Sequence, residues 1–160
     1  ERKKPFVIGV NASSGIREKY VNLRTICHPR RFISDSSFLG RNKTPVIIPD
    51  TSIPKRLKIL LNFKNKKIFN YGLKISKKNK INISKNLCKI PFPLVIIYTL
   101  SILKISKVKK VYFAGFDGFK NNNPNVDETN YSLNLFNKKY KLSSIRTITK
   151  SKYNLPFIKI

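Results

Sequence analysis

The apolar positions of this chain fall into short runs closed by turn residues, and one long run. Pro5–Val10 (PFVIGV), Leu23–Cys27 and Pro45–Ile48 (PVII) have strand length, and each is followed at once by a polar loop or a proline. Apolar runs of this length bounded by turn signals predict buried strands. Lys67–Phe69 predicts a fourth strand, with Asn70-Tyr71-Gly72 turning the chain. Alternation over Lys80–Ile83 predicts an edge strand, and the lysines around it suit an exposed edge. Val111–Ala114 and Ser143–Ile148 predict the last two strands.

The long run is Pro91–Ser106, which carries Leu94, Val95, Ile96, Ile97, Leu100, Ile102, Leu103 and Ile105. Apolar almost all round, it predicts a central helix packed between a sheet and its neighbours. Its prolines suit a first helical turn. Its β-branched residues lower local helix propensity, so burial must hold it. It is shorter than the ~20 apolar residues a membrane span needs. Other helices are predicted from Ile16, over Phe32–Leu39 (helical or irregular), over Pro54–Asn62 after the capping run Asp50-Thr51-Ser52, and from about Asp127 to Tyr140. Asp127 and Glu128 favour the last of these through the helix dipole. Tyr153–Ile160 reads as an apolar tail docked on the body. Strands alternating with helices predict an α/β fold: a Rossmann-like open, mostly parallel sheet flanked by helices, in three layers. One such domain is expected over residues 1–160, as the C-terminal fragment of a longer protein.

Two loops at strand ends carry the candidate chemistry. Asn11-Ala12-Ser13-Ser14-Gly15 follows the first strand, where backbone N–H groups can approach an anion and Asn11, Ser13 and Ser14 can add side-chain hydrogen bonds. It is neither a GxGxxG nor a Walker loop, and a serine capping the next helix is the simpler reading. The second is KKVYFAGFDGFK, Lys109–Lys120, where Gly115 and Gly118 turn the chain sharply around Asp117. One carboxylate without a second acid or base beside it suits a pocket wall better than acid–base catalysis. His28, the sole histidine, ends the second strand and is the candidate general acid or base, against a structural hydrogen-bonding role. Arg30 and Arg31 after it could hold a phosphate or carboxylate.

Composition changes this picture in one respect. With 34 basic and 7 acidic side chains the formal charge is +27, which points to polyanions, but 41% hydrophobic residues exclude a disordered polycation. The lysines are scattered rather than gathered on one motif, and the chain is rich in Lys, Asn and Ile, as A/T-rich coding would make it. Nucleic-acid contact is therefore expected only as nonspecific charge attraction. Cys27 and Cys88 form no CxxC. A reduced pair is the default and a disulfide the alternative, which gives a cytoplasmic expectation. No metal site is expected from one histidine and two cysteines.

The succession VIGVNASSG (7–15), ICHPRR (26–31), PVIIP (45–49), NYGLKI (70–75), IPFPLVIIYTLSI (90–102), KKVYFAGFDGF (109–119) and DETNYSLNLF (127–136) resembles a C-terminal domain of certain bacterial aldolases. These belong to the pyruvate-carboxyltransferase and hydroxymethylglutaryl-CoA lyase superfamily and occur among surface-polysaccharide genes. The resemblance implies an upstream aldolase barrel as the partner within the same polypeptide, and no catalytic residue in this fragment. More distantly, the chain is similar to CMP-sialic acid-dependent bacterial sialyltransferases and to 6-hydroxymethylpterin diphosphokinase-like proteins. That likeness rests on Asn11 ending a strand, on Gly115 and Asp117 after an apolar helix and strand, and on the polar loop Asn121–Asn125. It implies that Asn11 contacts a nucleotide. The chain departs from the sialyltransferases in lacking a downstream histidine, and from the aldolase-linked pattern at Asn123-Pro124-Asn125. The expected function is an accessory nucleotide- or sugar-phosphate-binding domain of an aldolase-type enzyme, with a nucleotide-sugar glycosyltransferase and a basic nucleic-acid-binding module as alternatives. The expected ligand-binding residues are Asn11, Ser13, Ser14, Gly15, Gly115, Asp117 and Gly118. No cofactor is expected beyond a nucleotide ligand.

Overall fold

A computed structural model describes residues 4–12, 15–49, 66–77, 79–118, 123–141 and 144–159. The chain opens with strand β1 (Ile8–Val10), a 3₁₀ turn (Glu18–Tyr20) and β2 (Leu23–Thr25). Two short helices, α1 (Pro29–Ser34) and α2 (Ser36–Arg41), lead to β3 (Val46–Ile48). Then come β4 (Ile68–Asn70), β5 (Gly72–Ile75), β6 (Asn82–Ile83) and β7 (Leu87–Ile90). Helix α3 (Val95–Ile105), β8 (Val111–Phe113), α4 (Pro124–Tyr140) and β9 (Ile145–Thr147) complete the order.

The fold is α/β with a mostly parallel open sheet. Strands β1-β2-β3-β4 lie side by side, all parallel, with Gly9 opposite Arg24 and Arg24 opposite Val46. A second set runs β5-β7-β6, in which β6 is the antiparallel edge strand expected around Lys80–Ile83. The two sets share one extended stretch. Tyr71 donates its N–H to Ile48 on the β3 side, and Gly72 donates to Asn86 on the β7 side. Residues 68–75 therefore pass from one set into the other without reversing. This corrects the turn expected at Asn70-Tyr71-Gly72: Gly72 has no side chain because a Cβ there would meet Leu87 Cδ1 at 2.9 Å and Asn86 O at 3.0 Å. Strand β8 pairs in parallel with β9.

Alternate residues of the sheet face different helices, as the period of 2 requires. On one face Ile26, Val46 and Ile48 pack with Phe32 of α1 and Leu39 of α2. On the other, Ile47 packs against the cluster built on α3, which also holds Tyr71, Leu73, Cys88, Val111, Leu133 and Phe136. Three layers result. Seven consecutive residues of α3, Ile96 to Ile102, are buried, so the helix is held by its surroundings as its β-branched residues demand. Pro91 and Pro93 lie ahead of α3 rather than in its first turn, and Leu94 is its N-cap. Thr99 on α3 shares a 2.6 Å hydroxyl contact with Thr25 on β2, fixing helix to sheet.

The helix expected from Ile16 is only the 3₁₀ turn, and α4 starts three residues before Asp127, with Pro124 in its first turn and Asn123 accepting from the N–H of Asn125. The helix expected over Pro54–Asn62 lies outside the described residues. The C-terminal tail docks in part: Tyr153 is buried and Phe157 bridges to Thr147, while the Phe157 side chain stays exposed. Among the described residues no helix is long and apolar enough to cross a membrane.

Candidate functional site

In an open α/β sheet, ligands sit beyond the C-terminal ends of parallel strands. Strands β1 and β2 are adjacent and parallel, so the loop after Val10 and the segment after Thr25 leave the sheet at the same edge. That brings Asn11 and His28 to one edge through backbone topology alone.

Asn11 has φ 56°, in the left-handed region that asparagine tolerates better than most residues. Its N–H donates to Thr25 O at 2.9 Å, and its carbonyl accepts from Arg24 Nη1. The half-buried side-chain amide makes no hydrogen bond among the described residues. The loop N–H of Ala12 is already taken, since it donates to Asp35 Oδ2 at 3.0 Å. A carboxylate of the protein thus occupies one position where a bound phosphate would accept. Gly15 is exposed with φ 63°, and Ser13 and Ser14 lie outside the described residues.

What holds the loop is Arg24, which the sequence reading passed over inside an apolar strand. Its side chain is 1% exposed. Nε donates to both Glu18 carboxylate oxygens, at 3.0 and 3.1 Å, and Nη2 closes the ion pair. The guanidinium lies 4.8 Å from the Phe38 ring centroid. Burial would raise the Glu18 carboxyl pKa, but hydrogen bonds from Arg24 and Thr44 and the charges of Arg24 and Lys66 hold it below its usual range. Lys66 donates to Leu39 O and Asn42 Oδ1, both at 2.7 Å, and burial pushes its pKa down to about 8 despite Glu18. A lone cation in a strand with an acid six residues earlier was the signal available for this pair.

His28 is the N-cap of α1, its Nδ1 accepting from Arg30 N at 3.2 Å. That bond requires Nδ1 to be unprotonated and leaves Nε2 as the group that could face a ligand. Arg30 and Arg31 are exposed on the same helix.

The Gly115–Gly118 turn is anchored elsewhere. Gly115 (φ 65°) and Gly118 (φ 100°) supply the left-handed backbone that the turn needs. Thr149 Oγ1 accepts from Gly115 N at 3.0 Å, Ser151 Oγ donates to Phe116 O at 2.6 Å, and Lys152 N donates to Asp117 O at 3.0 Å. The turn is thus pinned to the segment after β9, and no hydrogen bond joins it to the Asn11 loop among the described residues. The Asp117 side chain is exposed and makes no hydrogen bond among them.

In comparisons with protein-family models, curated proteins and solved structures, nothing matches the chain.

Among the described residues no group of three or more His, Cys, Asp or Glu could hold a metal ion. Cys27 and Cys88 are free and buried, and burial, with the neighbouring Cys88 charge, pushes the Cys27 thiol up to about 12. Burial does the same to Cys88. Neither is a thiolate at neutral pH, so neither can serve as a nucleophile there.

Proposed function

We propose that this chain is an accessory domain that binds a nucleotide or sugar-phosphate at the β1–β2 edge, as part of an aldolase-type enzyme. The observation that carries the binding half is Asn11: a left-handed residue at the end of β1, its backbone fixed by Thr25 and Arg24 and its amide without a hydrogen bond among the described residues. A backbone already held in place at this residue lowers the ordering cost of presenting its amide to a polar ligand group. Arg30 and Arg31 supply exposed positive charge on the helix that follows β2. Asp35 on the Ala12 N–H argues against a phosphate buried in the loop itself, and for one held outside it. The aldolase setting is supported by the ordered sequence resemblance alone. Reading the gene upstream of Glu1 tests it: a metal-binding barrel supports it, and a start codon there removes it.

A nucleotide-sugar transferase is the second reading, favoured by His28 at the same edge with Nε2 unengaged by α1. Calorimetric titration with CMP and CMP-sialic acid separates the two. Binding of both with slow hydrolysis or transfer of the sugar favours the transferase, and binding without turnover favours the accessory domain.

A further inference from the structure

The opposite edge of the sheet holds a groove that the β1–β2 site does not use. It opens at the N-terminal ends of three parallel strands, where Leu23 begins β2, Pro45 precedes β3 and Lys67 precedes β4. Its volume is about 440 Å³, within the range of small-molecule sites. Ile47, Phe69 and Tyr71 form the sheet side, and Ile102 and Ile105 from the end of α3 form the other. Phe6 stands at the mouth, 69% exposed, and Phe69 is 41% exposed. With Ile105 at the end of α3, also exposed, these rings form one apolar patch along the groove, which is informative where single exposed rings are not.

Charge and rings together point to the occupant. Lys67 and Lys85 line the groove, and Lys67 Nζ lies 5.2 Å from the Phe69 ring centroid. A second cleft of about 620 Å³ shares Lys85 and Ile105 with the first and adds Lys104 and Lys107. No acidic side chain is among the described residues lining either. Apolar walls with aromatic rings beside a one-signed cationic end complement a molecule with a ring at one end and an anion at the other.

We infer that this groove binds a small aromatic anion, its ring against Phe69 and Phe6 and its carboxylate, sulfonate or phosphate at Lys85. An acyl chain would gain from the walls and the rings by burial alone, whereas an aromatic ligand adds ring–ring stacking. The site is independent of the β1–β2 edge and stands or falls separately from the function proposed there.

In a chain this basic, lysine alone discriminates little, so the test compares charge reversals. Fluorescence titration with 8-anilino-1-naphthalenesulfonate at physiological salt should give saturable one-to-one binding. Lys85→Glu should weaken it by about fivefold or more, as loss and reversal of a charged contact implies, and so should Phe69→Ser. Lys150→Glu, which changes net charge equally but lines neither cavity, should leave it within about twofold. If Phe69→Ser does not fold, the more exposed Phe6→Ser takes its place. Absence of saturation, equal loss with Lys150→Glu, or retention of affinity without the ring would each overturn the assignment. Equal affinity for uncharged N-phenyl-1-naphthylamine would overturn its anionic half.

Discussion

Gly9 has no side chain where Arg24 lays its guanidinium: a Cβ on Gly9 would sit 2.8 Å from Arg24 Nη1 and 3.1 Å from Cζ. The two residues are register partners on β1 and β2. The guanidinium cannot swing aside, because Glu18 holds one side, the Asn11 carbonyl another, and the Phe38 ring lies 4.8 Å away. Gly9→Ala should therefore cost about 1–3 kcal/mol, the range for overpacking a tight site. Urea unfolding measures it. A loss below about 0.5 kcal/mol would mean that the guanidinium yields freely, and that it does not brace the Asn11 loop.

The Arg24–Glu18 pair also sets an acid limit. Glu18→Gln leaves a buried guanidinium short of its counter-charge and should cost about 2–3 kcal/mol at neutral pH, below the full cost for a wholly buried pair because Glu18 is 26% exposed. The folded pKa of Glu18 is below its ordinary 4.5, so between the two values the unfolded chain binds more protons. The stabilisation is present above pH 4.5 and lost as pH falls through the folded pKa. The gap in unfolding free energy between wild type and Glu18→Gln should accordingly narrow below pH 4.5. A gap that stays constant from pH 7 to 3 would contradict the pairing.

Tyr98 ties α3 to the strand that joins the two sheet sets. Its hydroxyl donates to the carbonyl of Tyr71 at 2.6 Å, at the residue where hydrogen bonding passes from the β3 side to the β7 side. Tyr98 is fully buried, so Tyr98→Phe strands that carbonyl and should cost about 1–3 kcal/mol. Hydrogen exchange should speed up at Tyr71 and Gly72 more than at Leu73. Uniform acceleration would show a global loss instead of a local one.

The strands at β1, β2, β3 and β8 were legible because each is a short, largely apolar run with a turn residue behind it. So was α3, which is apolar almost all round and so calls for burial on every side. Gly72 misled because glycine near Asn reads as a breaker, whereas here it admits Asn86 and Leu87 in mid-strand; with it went β5 and β7. The acidic pair Asp127 and Glu128 points to a start of α4 three residues later than the one set by Asn123-Pro124, a cap followed by a first-turn proline. At the candidate site, Asn11 and His28 were visible as strand-end residues. Arg24 and Glu18 left only the faint signal of a lone cation in a strand with an acid six residues earlier, and Asp35 left none, since its contact with Ala12 joins elements that only the folded chain brings together. The Gly115–Gly118 turn was legible as a turn, but its anchoring to Thr149, Ser151 and Lys152 depends on β9 pairing with β8.

The most direct test of the binding role is Asn11→Gly. Glycine adopts φ 56° without strain, so the change removes the amide and keeps the loop. Calorimetric titration with CMP at physiological salt should give a dissociation constant below about 1 mM for the wild type. Asn11→Gly should weaken it by about fivefold or more, as for loss of one good hydrogen bond to a charged or strongly polar group, with unfolding free energy changed by less than about 1 kcal/mol. No binding by the wild type at millimolar CMP, or equal binding by Asn11→Gly, would contradict a nucleotide site at the end of β1.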